Sequence, residues 1–156
     1  MEIDETLSPY YLVFATDKGN IYALDEQKKQ NSVTLLGSAL GIITDIQFHY
    51  KSSLMFVAAK DGNATDLGKI YAYKYKVTLG SDNQVHFALS NSLQKIQLYS
   101  GNPVRSISID QTNLLLYGVD NSEERLFVLD FKRLTKQSAN GFSDAPLYVP
   151  FTDYKN

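Results

Sequence analysis

LVFATDKGNIYALD, from Leu12 to Asp25, sets an apolar run against a polar turn and then a second apolar run. Gly19 and Asn20 supply the positive φ that tight hairpin turns require, so the stretch predicts a β-hairpin. The same pattern returns as LMFVAAKDGNATDLGKIYAYK from Leu54 and as LLLYGVDNSEERLFVLD from Leu114. Three such hairpins predict an all-β chain.

The segments around the hairpins add strands and no long helix. Leu54 to Ala59 is almost continuously apolar, which predicts a strand buried on both faces. Val85 to Leu89 and Gln94 to Leu98 are expected to form one outer edge strand, split by a polar stretch. No segment keeps an apolar period of 3.6 residues, and residues 132–145 are expected to be a polar loop.

Composition and charge exclude several classes of function. The chain has 156 residues, enough for one well-packed domain, and 11 Tyr and 8 Phe favour sheet. Fifteen basic residues against seventeen acidic ones give no basic stripe for nucleic acid. Without Cys there is no disulfide, thiolate nucleophile or Cys-based metal site.

The sequence also bears on compartment. No apolar run approaches the roughly 18–20 residues that a membrane span needs, so no membrane contact is expected. Residues 1–11 are acidic and lack the basic start and apolar core of a signal peptide. Met1 as a native start therefore predicts the cytoplasm, and a secreted or organellar protein is the alternative if Met1 is not native.

The hairpins recur at intervals of roughly 40–60 residues, with the length changes confined to turns, which is typical of propeller blades. TDKGNIYALDEQ resembles the repeat of quinoprotein-type propellers. IYALD, IYAYK and LFVLD are similar to the third strand of WD-type repeats, with Leu24-Asp25 and Leu129-Asp130 at the Trp-Asp positions. NPVRSISIDQTNLLLYGVDNSEERLFVLD is similar to blades of lactonase-type propellers.

These resemblances imply a single partial β-propeller over residues 1–156, built of about three four-stranded antiparallel blades. The blades are expected at about 3–40, 41–101 and 102–151. Departures from the families weaken an enzymatic role. The Gly-His pair of WD-type repeats and the Trp of quinoprotein-type blades are missing, and no motif places the lactonase catalytic residues.

Three blades do not close a ring, since propellers have roughly 4–8. Ile3-Asp4-Glu5-Thr6 resembles Ile109-Asp110-Gln111-Thr112, which makes the first blade incomplete at its innermost strand. An open stack exposes two apolar faces to water. The sequence therefore predicts either protein partners or self-association, with two copies closing a six-bladed ring as one arrangement.

One turn carries oxygen ligands of the kind that Ca²⁺ prefers, at Asp61, Asn63 and Asp66. The turn lacks EF-hand spacing and the distal bidentate Glu, so a polar hairpin loop is the simpler interpretation and these residues are a weak metal candidate. Asn63-Ala64-Thr65 is also a glycosylation sequon, meaningful only in a secreted chain.

The remaining candidates favour structure over chemistry. His49 and His86 form no zinc or catalytic constellation, and His49 is expected at a surface or strand end. Asp45, Arg105 and Ser106 lie on strands that would line a central channel. Asp25 and Asp130 are expected to accept backbone N–H groups in the following turns.

The sequence thus favours a non-catalytic propeller scaffold or protein-interaction module within a larger assembly, with no catalytic or cofactor-binding residue assigned and no cofactor expected. Two alternatives stay open. One is a fragment of a propeller hydrolase or lactonase with its active site at the channel mouth. The other is an extracellular propeller fragment that binds a ligand or calcium.

Overall fold

The structure, a computed structural model, describes residues 2–3, 11–25, 33–37, 40–62, 67–79, 81, 85–89, 96–120, 126–135 and 148–149. Most of these residues lie in strands that pair antiparallel in small sheets, which confirms the all-β prediction. The three quoted hairpins all form, each between two neighbouring strands of one sheet.

The first sheet has the order β1-β2-β3-β4. Its strands are β1 (Glu2–Ile3), β2 (Tyr11–Ala15), β3 (Ile21–Asp25) and β4 (Val33–Gly37). Gly19, in the turn between β2 and β3, has φ of 72°, as the hairpin sequence predicts. A side chain there would also collide with the backbone oxygen of Gly41, so the turn packs closely on the chain that enters the second sheet.

The second sheet has the order β5-β6-β7-β8, with β9 also paired to β7. Its strands are β5 (Ile42–His49), β6 (Leu54–Lys60), β7 (Gly68–Leu79), β8 (Val85–Leu89) and β9 (Ile96–Gly101). This pairing agrees with the predicted outer edge split by a polar stretch, since β8 and β9 follow one another along the same long strand, β7. β9 pairs its first half and β8 its second half.

The third sheet has the order β10-β11-β12-β13. Its strands are β10 (Val104–Asp110), β11 (Leu115–Asp120), β12 (Leu126–Asp130) and β13 (Tyr148–Val149). A four-residue helix, α1 (Lys132–Thr135), follows β12 where a loop was predicted. Leu134 anchors this helix and is fully buried beside Phe131. The sequence shows no helical pattern here because the residues around Leu134 are mostly polar.

The second sheet lies between the other two and carries both parts of the core. One buried cluster joins the first and second sheets, and another joins the second and third. β6 supplies alternate residues to the two clusters, with Met55 and Val57 in one and Leu54 and Phe56 in the other. The prediction that β6 is buried on both faces is therefore confirmed.

The strands β1, β5 and β10, the first of each sheet, are neighbours. β10 packs along β5, and β1 contacts β5 from the other side. Each sheet therefore begins at this common line of strands and extends outward from it.

Candidate functional site

Pairing registers identify matching positions in the second and third sheets. Ser53 and Leu114 directly precede β6 and β11, and both have positive φ, at 51° and 60°. The carbonyl oxygen of Ser53 accepts the Tyr75 N–H at 2.9 Å, and that of Leu114 accepts the Phe131 N–H at 3.1 Å. Each is thus anchored in the same way.

Counting residue pairs along the β6–β7 and β11–β12 ladders from these anchors matches further residues of the second sheet with residues of the third. Ala58 pairs with Ile70 in the second sheet, and Val119 pairs with Leu126 at the same place in the third. Ile70 and Leu126 therefore occupy matching positions relative to these anchors. On the preceding strands, Leu54 matches Leu115 in the same way.

The equivalent residues differ in burial. Ile70 is 0% exposed and belongs to the cluster between the second and third sheets, whereas Leu126 is 47% exposed. The face of the third sheet that carries Leu126 will be called the open face, and its apolar residues are Leu115, Tyr117, Val119, Leu126 and Val128. None of these belongs to either buried cluster. The second sheet buries this face against its neighbour, whereas in the third sheet Leu126 is exposed, the other four residues are half-buried, and no sheet of the described residues packs on them.

The opposite end of the stack has a face of its own. Register places Phe14, Tyr22 and Leu35 side by side on the first sheet, pointing away from the second. Phe14 and Tyr22 stack with ring centroids 5.6 Å apart, and Leu35 is 53% exposed. This outer face comprises Leu12, Phe14, Tyr22, Leu24 and Leu35.

The first sheet also follows the common register. Ile3 pairs with Leu12 in the same way that Ile109 pairs with Leu116. Both residues thus lie in the first strand of a sheet and pair with the second, while the predicted likeness of the two segments stays a prediction. Asp4, Glu5 and Thr6, the rest of that likeness, lie outside the described residues.

Hydrogen bonds join the second and third sheets where β5 meets β10. Asp45 Oδ2 accepts the backbone N–H of Ile107 at 2.8 Å, while Oδ1 accepts the N–H of Ile46 at 2.8 Å. The Thr44 hydroxyl donates to the carbonyl oxygen of Val104 at 2.8 Å. A bulge between Ile43 and Asp45 aims these side chains at β10.

A second pair of contacts lies at the far end of β5. Gln111 Nε2 donates to the carbonyl oxygen of Phe48 at 2.7 Å, and His49 Nε2 lies 3.1 Å from the carbonyl oxygen of Gln111. His49 is 1% exposed, so the surface prediction is wrong although the strand-end prediction is right. We call these contacts, together with those of Thr44 and Asp45, the seam.

Thr44 and Gln111 were not singled out in the sequence, since single polar residues in a strand and a turn carry no pattern. Asp120 was not singled out either. It ends β11, is buried, and accepts a hydrogen bond from Asn102 Nδ2 at 2.8 Å. Asn102 opens the connection into β10, so this bond holds the entry to the third sheet.

The structure does not bring the predicted channel residues together as a site. The Asp45 carboxylate accepts hydrogen bonds from two backbone N–H groups, those of Ile46 and Ile107. Arg105 and Ser106 are exposed on β10, with the ladder irregular between Val104 and Ser106. The geometry assigns Asp45 to holding sheets together.

The calcium candidate is only partly described. Asp61 Oδ2 lies 3.5 Å from Lys69 Nζ in a half-buried ion pair, and Asn63 and Asp66 lie outside the described residues. Over the residues that the structure describes, no group of three or more His, Cys, Asp or Glu is placed to hold a metal ion. The metal prediction stays untested at Asn63 and Asp66.

The remaining predicted residues are structural where they are described. Asp130 Oδ1 accepts the Lys132 N–H at 2.8 Å, which confirms the predicted turn contact and starts α1. The side chains of Asp25 and His86 lie outside the described residues, although both residues are in strands. Asp25 therefore stays a prediction.

Two titratable groups are perturbed. Hydrogen bonds from the backbone and side chain of Asn113, and from the backbone of Thr112, lower the pKa of Asp110. Burial, and then the neighbouring Tyr71, raise the pKa of Tyr73 to about 12. Both effects follow from turn and core structure, since Asp110 closes the turn after β10 and Tyr73 lies in the core.

Compared with known proteins, the chain matches no family model, no curated protein and no solved structure. In the described part of the chain, no helix is long and apolar enough to cross a membrane.

Proposed function

We propose that the chain forms consecutive blades of a β-propeller and serves as a non-catalytic interaction scaffold whose open face is covered by protein. The burial contrast between Ile70 and Leu126 carries the proposal. The third sheet covers Ile70 of the second sheet, whereas the matching residue of the third sheet, Leu126, is 47% exposed. An apolar face of that kind marks an association surface.

The sheet arrangement supports the blade interpretation. Each sheet starts from the shared line of β1, β5 and β10 and continues outward as an antiparallel meander. Such sheets cannot bury both faces alone and need a neighbour on each side. The seam supports a scaffold function over catalysis, because Asp45 and His49 bind groups of the chain itself.

The test compares two single-cysteine variants, which is possible because the chain has no Cys. Leu126→Cys reports on the open face, and Thr112→Cys reports on an exposed turn of the same sheet. Each is labelled with a thiol-reactive dye, first in dilute purified protein and then in an extract of the cells that produce the chain.

We expect the extract to slow labelling at position 126 several-fold and to leave position 112 unchanged, because a partner covers the open face. Labelling at position 126 as fast as at position 112 in both conditions would contradict the proposal, because nothing would then cover the open face.

A further inference from the structure

We propose that the open face binds the outer face of the first sheet of a second copy of this chain, head to tail. The inference rests on the proposed function and names the partner. It follows from what the chain already does twice, when the first sheet packs on the second and the second packs on the third.

The chemistry of the contact is visible inside the chain. The second sheet buries Leu54, Phe56 and Ile70 against residues of the third sheet that include Leu116, Phe127 and Leu129. The open face repeats the first of these sets, with Leu115, Tyr117 and Leu126 at the equivalent positions. It therefore needs an opposing face like the one formed by Leu116, Phe127 and Leu129.

The outer face of the first sheet resembles the face formed by Leu116, Phe127 and Leu129. Matching the registers places Leu12 at the position of Leu116 and Leu24 at that of Leu129. Tyr22 occupies the position that Phe127 and Tyr71 occupy in the other two sheets. Tyr71 and Phe127 at this position pack onto the preceding sheet, whereas among the described residues no sheet precedes the first one and faces Tyr22.

Both faces are unburied at their most prominent residues, with Leu126 at 47% and Leu35 at 53% exposed. A head-to-tail contact is heterologous, so it closes into a ring only if the rotation per copy permits. Two copies contribute six such sheets, within the roughly 4–8 of natural propellers. We therefore assign a closed pair with two identical contacts.

The test uses two single-cysteine variants that carry different affinity tags. Val128→Cys lies on the open face and Tyr22→Cys on the outer face of the first sheet. The purified variants are mixed, treated with a short bismaleimide and analysed for cross-linked pairs, with light scattering to give the mass of the untreated chain. Thr112→Cys, in an exposed turn, serves as the control partner for each.

We expect the mixture of Val128→Cys and Tyr22→Cys to yield several-fold more cross-linked pairs than either variant alone or either with Thr112→Cys. The untreated chain should have twice its mass of 17.5 kDa. A second combination, Leu126→Cys with Leu35→Cys, should behave in the same way and covers the case in which one variant misfolds.

A monomer at every concentration, a ladder of higher masses, or cross-links only between identical variants would overturn the inference. The proposed function is judged separately. If the purified chain is monomeric while the extract still protects position 126, the scaffold stands and its partner is another protein. If position 126 is protected neither in the purified chain nor in the extract, both proposals fail.

Discussion

Asp45 of the second sheet accepts the backbone N–H of Ile107, in the third sheet, through Oδ2 at 2.8 Å. The same carboxylate holds its own strand through the Ile46 N–H. One side chain thus satisfies backbone donors on two sheets at the line where their first strands meet. Together with Thr44 and Gln111, it makes the contact between sheets specific in register, which apolar packing alone does not require.

Removing this carboxylate should weaken the contact between the sheets. Asp45→Ala leaves the backbone N–H of the buried Ile107 without its partner, so the free energy of unfolding should fall by about 1.5–3 kcal/mol. Ser108→Ala, an exposed position on β10, is the control and should change it by no more than about 0.5 kcal/mol. Urea unfolding of both variants checks the prediction, which fails if the two lose equal stability.

The Gly19 turn should tolerate no side chain. Its φ is 72° and a Cβ would strike the backbone oxygen of Gly41, so Gly19→Ala should cost more than about 1 kcal/mol in unfolding free energy. Gly62→Ala is the matched control, because no atom lies within 4 Å of its Cβ position and its φ is not in the left-handed region. Thermal unfolding separates the two, and an equal shift in Tm would show that the contact of Gly19 with Gly41 is unimportant.

Asp110 should titrate below its ordinary pKa of 3.8, because the Asn113 and Thr112 hydrogen bonds favour its charged form. Since the pKa is lowered on folding, the stabilisation is present above pH 3.8 and is lost as the pH falls through the lower pKa of the folded state. Carboxyl NMR titration gives the midpoint. Asn113→Ala should move it back towards 3.8, whereas a wild-type midpoint at or above 3.8 would contradict this account.

The local structure was largely predictable from sequence. Gly19 and Asn20 indicate their hairpin because few other residues adopt the required φ. Leu54 to Ala59 contain no polar residue, which predicts a strand that is buried on both faces. The split edge of β8 and β9 was predicted, but β9 runs to Gly101, beyond the predicted end at Leu98, because it pairs with β7 as far as Gly68. Where that pairing ends is a property of the sheet.

The site was harder to predict than the fold. His49 was expected at a surface or strand end and does end β5, but the sequence did not indicate that it is buried against Gln111, or that Asp120 is buried against Asn102. Gln111 lies far along the chain from Phe48, to which it donates. Such pairings depend on how sheets are stacked, and a single sequence contains no signal for them.

The central claim is that Ile70 and Leu126 occupy one position in two sheets and that only Ile70 is covered. Urea unfolding of Ile70→Ala and Leu126→Ala, in protein dilute enough to be monomeric, tests it most directly. We expect Ile70→Ala to cost about 2–5 kcal/mol of unfolding free energy and Leu126→Ala no more than about 0.5 kcal/mol. If Leu126→Ala costs as much as Ile70→Ala, the third sheet is already covered within the chain, and the open face does not exist.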